Sequence, residues 1–238
     1  ASHVLALSGL HLSIIYAVLT LLLGRSRRWR WLSQGAILLG IWMFVVLVGL
    51  PTSAIRSATM LSVYSVCLLL NRQKASINTL SFAAAVMLLA NPLNLWDIGF
   101  QMSFMAVLAI LLFYRTLYHL ITLRNVVASW LWGMTVVSIA AQIGTAPLVM
   151  YYFERFSSYF LITNFIVIPS ATIILYGAVA MMLAMPFLAL QQLIAKGLVA
   201  VATILNDTLA TFARLPWACI EGIRISTMQL YLIYILVV

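Results

Sequence analysis

Charge is what this sequence has least of. Only 7% of its 238 residues are Asp, Glu, Lys or Arg, and just four are acidic, whereas a soluble domain carries about a quarter charged residues. That scarcity excludes a water-soluble globule, because too little polar surface exists to coat one. Cysteine is nearly missing as well. Cys67 falls in an apolar stretch and Cys219 in a late loop, which provides neither a disulfide framework nor metal-ligand spacing. His3, His11 and His119 stand apart, and no HExxH, GxSxG or Walker sequence occurs. No metal and no cofactor is expected, and the chain does not read as an enzyme.

What is present is apolar length. Hydrophobic residues make up 65% of the chain and the mean hydropathy is +1.14. A helix needs roughly 20 mostly apolar residues to span a bilayer, so the chain has room for about eight or nine spans with short loops. The expected fold is all-α, a polytopic transmembrane helical bundle in the bacterial inner (plasma) membrane. Apolar runs over 5–23, 35–50, 54–70, 77–90, 98–114, 126–149, 159–185, 197–212 and from 227 onward predict about nine spans, some broken or re-entrant. With Ala1 at its start and an apolar run to its end, the chain is expected to be a piece of a longer protein.

The net charge of +9 invites a nucleic-acid reading, yet orientation explains most of it. Arg25, Arg27, Arg28 and Arg30 share one loop, Arg72 and Lys74 another, and Arg115 and Arg124 a third. Basic loops face the cytoplasm in membrane proteins, so alternation puts the N-terminus outside together with the turns at 50–55, 91–97 and 151–158. Two helix breaks interrupt the pattern. Gly49-Leu50-Pro51 makes either a tight hairpin or a re-entrant break, and Pro169 with Gly177 predicts a kink or discontinuity in the 159–185 run.

A few polar residues are not explained by composition. An ionised side chain at the middle of a membrane helix costs about 2.5–3.5 kcal/mol on insertion scales, which makes each a candidate for function. Asp97 is either an N-cap after the Asn91-Pro92 turn or a functional carboxylate, sharing a helix face with Gln101. Arg56 belongs to a stripe of Ser53, Arg56, Ser57, Met60 and Tyr64. It is either an interfacial arginine reaching head groups or part of a close-packed or wet polar surface. Ser8 and His11 read as interhelical hydrogen-bonding residues. Lys196, Thr203, Asp207, Ala210 and Arg214 form a polar stripe that lines a cavity or lies in the interface. Glu154 and Arg155 read as a turn in an aromatic belt.

The segments Leu7-Ser8-Gly9-Leu10-His11, Pro51-Thr52-Ser53-Ala54-Ile55-Arg56-Ser57 and Asp97-Ile98-Gly99-Phe100-Gln101-Met102-Ser103-Phe104 form an ordered set. With Ala141-Gln142-Ile143-Gly144-Thr145-Ala146-Pro147 and Asn164-Phe165-Ile166-Val167-Ile168-Pro169, they resemble the transmembrane competence domain of ComEC-type proteins over nearly the whole chain. The resemblance implies an inner-membrane channel domain, 1–238, that passes single-stranded DNA into the cytoplasm during natural transformation. Its implied partners are single-stranded DNA, the lipid bilayer and other competence-machinery proteins, with a homo-oligomer as a candidate assembly. The family commonly adds an extracytoplasmic β-barrel-like module upstream and a metallo-β-lactamase-like module downstream, so the nuclease chemistry proposed for the latter is not expected of these residues. Candidates for the DNA path or its framework are Ser8, His11, Ser53, Arg56, Ser57, Asp97, Gln101, Ser103, Asn164, Pro169 and Asp207. The rival is an ion-coupled small-solute transporter, with Asp97 binding the ion and a helix break at Pro169 forming the substrate site; the inverted repeat that would favour it is not visible. An intramembrane enzyme would need a paired Ser/His or Asp/Asp constellation, which the sequence does not display.

Overall fold

Hydrocarbon offers no partner to a backbone amide or carbonyl, so long apolar runs settle as helices that satisfy their own hydrogen bonds. The computed structural model describes residues 9–23, 30–70, 77–215 and 217–237. Among them the chain forms α1 (Gly9–Leu23), α2 (Arg30–Leu47), α3 (Thr52–Leu69), α4 (Ile77–Ala90), α5 (Ile98–Tyr118) and α6 (Val126–Phe153). There follow β1 (Arg155–Ser157), α7 (Phe160–Leu183), α8 (Leu188–Arg214), β2 (Cys219–Glu221) and α9 (Thr227–Val237), and a 3₁₀ turn (Pro92–Trp96) precedes α5. Helices α3, α5, α6, α7 and α8 are long and apolar enough to cross a membrane, and α1, α2, α4 and α9 are shorter apolar helices. Leu21, Leu39, Leu89 and Leu236 are largely exposed, an outward-facing apolar surface of the kind that lipid solvates.

The chain divides into two compact units, Ala1–Leu112 and Phe113–Val238. In the first, α3 is the centre, with α1, α2 and α4 packed around it. One core joins Leu12 of α1, Ile37, Ile41 and Val45 of α2, and Ala54 and Ala58 of α3. The two alanines stand one turn apart, and small residues on one helical face let neighbouring backbones approach. A second core joins Val63 of α3, Ala83 and Met87 of α4, and Phe100 and Phe104 of α5.

Between α2 and α3 the chain makes a tight turn. The Leu50 amide donates to the Val45 carbonyl at 2.9 Å and the Gly49 amide to the Val46 carbonyl at 3.0 Å, which is the Schellman ending of a helix. Gly49 takes φ +90°, a conformation open to glycine and costly for a residue bearing a Cβ. Pro51 then starts the return, and α3 begins at Thr52, two residues before the expected run.

In the second unit α7 and α8 pack along one another, closely enough at Gly177 that an added Cβ would run into Leu198. Of the kink or discontinuity expected at Pro169, the discontinuity is not there: α7 is one helix from Phe160 to Leu183 with Pro169 inside it. A proline removes one amide donor, but opening the helix in hydrocarbon would strand several more groups, so continuing it is the lesser cost. Helix α6 likewise runs through Pro147. There the Tyr234 hydroxyl of α9 donates to the Gly144 carbonyl at 2.7 Å, in the turn where Pro147 disturbs the ladder. Helix α8 starts at Leu188, well before the expected residue 197.

The segment read as an aromatic turn is instead a strand. Arg155–Ser157 pairs antiparallel with Cys219–Glu221, Phe156 opposite Ile220, and the Gly222 amide donates to the Glu154 carbonyl at 3.0 Å. Three residues carry too little periodicity to be read as a strand in advance.

Gly49→Ala is expected to cost about 1–2 kcal/mol, because alanine must adopt the left-handed conformation. Gly35→Ala, inside α2 with nothing within 4 Å of the added carbon, is expected to be neutral or stabilising. Unfolding of the two variants by SDS in mixed micelles measures the contrast.

Candidate functional site

Helix α3 carries six serine and threonine hydroxyls, and several bond within the helix. Ser57 donates to the Ser53 carbonyl at 3.0 Å, Thr59 to that of Ile55 at 2.9 Å and Ser62 to that of Ala58 at 2.7 Å. Such bonds to the preceding turn hide a hydroxyl within its own helix. Arg56 cannot be hidden that way. It lies in the second turn of α3, is only 9% exposed, and needs a counter-charge.

That counter-charge is built at the far end of α4. The Asn91 side chain accepts from the Leu93 amide at 3.1 Å, the Asn94 side chain donates to the Met87 carbonyl at 3.2 Å, and the Asp97 amide donates to the Asn94 carbonyl at 3.1 Å. Asn-Pro-Leu-Asn-Leu-Trp thereby folds back on the helix it leaves and delivers Asp97 to the start of α5. Asp97 is the N-cap, and it carries an ion pair as well. Its Oδ1 accepts from the Gly99 amide at 3.0 Å, capping α5. Its Oδ2 accepts from Arg56 Nη1 at 2.8 Å, a charge-assisted hydrogen bond. The Arg56 side chain is 11% exposed and that of Asp97 40%, so the guanidinium is inside and the carboxylate is at the rim. Snorkelling to head groups does not describe this arginine.

Gly99 completes the arrangement. A Cβ there would lie 2.8 Å from both Nη1 and Nη2 of Arg56 and 3.1 Å from Cζ, distances that real Cβ atoms do not occupy against a held group. The guanidinium therefore rests on bare backbone. Its Nε is buried without a hydrogen-bond partner. The pair is neutral overall, so Asp97 offsets the attraction of this arginine for an anion.

The remaining sequence candidates fall as follows. The Gln101 side chain turns back to donate to the Leu95 carbonyl at 2.9 Å and so braces the same turn. Ser103 is half-buried on α5 and Ser53 half-buried on α3. Asn164 and Pro169 are half-buried on α7, and Asp207 is exposed on α8 together with Lys196, Thr203, Ala210 and Arg214. Ser8 and the His11 side chain lie outside the described residues, as do Arg25, Arg27, Arg28, Arg72 and Lys74. Among the described residues no group of three or more His, Cys, Asp or Glu could hold a metal ion. Sequence reasoning missed Gly99, whose signal was a helix-disfavouring glycine two residues after a capping Asp.

The competence protein family matches residues 1–238. The chain belongs to that family. Among relatives, ComE operon protein 3 of Bacillus subtilis (strain 168) is 33% identical over 179 residues, 75% of this chain and 22% of that protein. The chain thus spans about a fifth of the length of the curated relative it matches. No solved structure matches the chain. Membership of the competence protein family, together with its apolar helices, makes this a multi-pass membrane protein, as the ordered motifs led one to expect.

Arg56→Ala or Asp97→Ala is expected to cost about 1–3 kcal/mol, less than for a fully buried pair because the carboxylate is partly solvated. Gly99→Ala should cost a similar amount only while Arg56 is present and become neutral or stabilising beside Arg56→Ala. A double-mutant cycle on SDS unfolding measures that coupling, and simple additivity would show that the two residues do not touch.

Proposed function

We propose that residues 1–238 form the transmembrane channel domain of a longer protein, through which single-stranded DNA crosses the bacterial inner membrane into the cytoplasm during natural transformation. The observation that carries this reading is the match to the competence protein family along the whole chain. The Arg56–Asp97 pair supplies chemistry that suits it. A strand bears one phosphate per nucleotide and must be released as readily as it is bound, so its path cannot hold it with a dense, uncompensated basic groove. An arginine already shared with a carboxylate attracts a passing phosphate weakly, which favours transit over capture.

All nine helices of the described residues cross the membrane in this reading, with the N-terminus outside and the basic loops in the cytoplasm. Two pairings support the alternation. Arg56 meets Asp97 across an intervening α3 and α4, and β1 meets β2 across α7 and α8; in each case an even number of crossings returns the chain to the same side. Single-stranded DNA, lipid and other components of the competence machinery are the partners, and a homo-oligomer is the candidate assembly. The ion-coupled transporter is the weaker reading. Both oxygens of Asp97 are engaged by Arg56 and Gly99, and α7 offers no interrupted backbone at Pro169.

In a transformable strain that depends on this protein, Arg56→Ala is expected to lower DNA uptake per copy of membrane-inserted protein, with uptake normalised to the variant's level in the membrane. A cysteine placed at position 56 or 101 should crosslink to a strand stalled during import. Undiminished transformation would remove Arg56 from the path, and crosslinks confined to other parts of the bundle would move the path while keeping the channel.

A further inference from the structure

Between the end of α5 and the start of α6, within the second unit, lies an open cleft of about 500 Å³, in the size range of small-ligand sites. Three aromatic rings line it among aliphatic side chains. Tyr114 and Tyr118, one turn apart on α5, stack with ring centroids 5.5 Å apart and planes 22° from parallel. Trp130 of α6 stands on the rim, 57% exposed. Gly133 faces both tyrosines, and its missing side chain leaves the space open: an added Cβ would make only ordinary contacts, at 3.7 Å to Tyr118 and 3.8 Å to Tyr114.

Membrane proteins place Tyr and Trp at the head-group level as a matter of course, but the hydrogen bonds here do not serve that role. The Tyr118 hydroxyl is bonded to Ser129 at 2.7 Å, and Trp132 Nε1 donates to the Tyr118 carbonyl at 3.1 Å. These bonds turn inward and pin α5 against α6, which holds the tyrosine pair as a wall rather than as a head-group anchor. Basic side chains flank it in the chain. Arg115 follows Tyr114, Arg124 precedes Val126 of the cleft lining, and both are exposed.

A π-surface bordered by separated cations is what an unpaired nucleobase with its phosphates requires, since bases stack on aromatic faces without regard to sequence while the backbone meets the charges. We propose that this cleft is a stacking site for one unpaired base of a DNA strand, with Arg115 and Arg124 meeting the flanking phosphates. This deepens, and rests on, the DNA-channel reading above. It assigns a role to two arginines that orientation alone would otherwise explain, and it sits at the opposite end of α5 from Asp97, on the side that the basic loops assign to the cytoplasm.

The test uses the full-length protein that contains this chain, in nanodiscs of phosphatidylethanolamine and phosphatidylglycerol, irradiated with a single-stranded oligonucleotide carrying 5-iodouracil. Crosslinked peptides should map to Tyr114, Tyr118 or Trp130. Trp130→Ala should weaken oligonucleotide binding about 5- to 150-fold, and Gly133→Leu, which keeps every ring but fills the cleft, should weaken it too. Arg115→Gln and Arg124→Gln should each lower the slope of log affinity against log salt by about 0.7. Crosslinks elsewhere in the chain but never on these rings would overturn the stacking site and leave the channel reading standing. No crosslink anywhere in the chain would overturn both. A photoreactive acyl lipid that labels these rings when the oligonucleotide does not would make the cleft a lipid site and end the proposal.

Discussion

Hydrocarbon does not hydrogen-bond, and the placement of nearly every polar group in this chain answers to that fact. Ser57, Thr59 and Ser62 of α3 bond to the turn behind them, and Ser65 bonds to the Tyr16 hydroxyl of α1. The carbonyl of Gly144, in the turn disturbed by Pro147, receives a tyrosine hydroxyl from another helix. The connection from α4 to α5 is tied by two asparagines. Arg56, the one buried side chain with a permanent charge among the described residues, is met by Asp97. Where lipid is the solvent, a polar residue is either satisfied inside its own helix or it dictates which helices must meet.

That distinction also explains how much could be read in advance. Among the described residues apolar length alone located the helices, because each is a self-contained solution to the same constraint; α4 was found to the residue, and ends such as the start of α8 shifted. Asp97 and Arg56 stood out because their cost in a membrane is large and local. Their pairing did not, since nothing in a sequence says which distant helix end will supply the counter-charge. The role of Gly99 follows only from that pairing. Pro169 misled for a related reason: a proline breaks a helix when water can take over the freed groups, and here the helix stays whole. The β1–β2 ribbon was invisible because three-residue strands leave no pattern to detect.

The functional reading turns on moderation rather than on strength of charge. In that reading most of the +9 sets orientation, and the arginine that is buried is also neutralised. A path for a polyanion needs places that engage it and places that let it go. A guanidinium shared with a carboxylate at one end of α5 and an aromatic cleft at the other are both contacts of limited grip, one electrostatic and one by stacking. Neither depends on base identity, as import of arbitrary sequence demands.

The ion pair also has a history within each molecule's synthesis. Its partners are 41 residues apart, so at about 5–20 residues per second Arg56 emerges roughly 2–8 s before Asp97 exists. For that interval the α2–α3 hairpin carries an unmatched cation, and whatever keeps it in the membrane must be local: the four-residue turn that binds α3 to its apolar neighbour and the hydroxyls that already hold their own bonds. The arrival of Asp97 then locks in a hairpin that has been waiting for it, which makes α5 the step at which the first unit's assembly becomes committed.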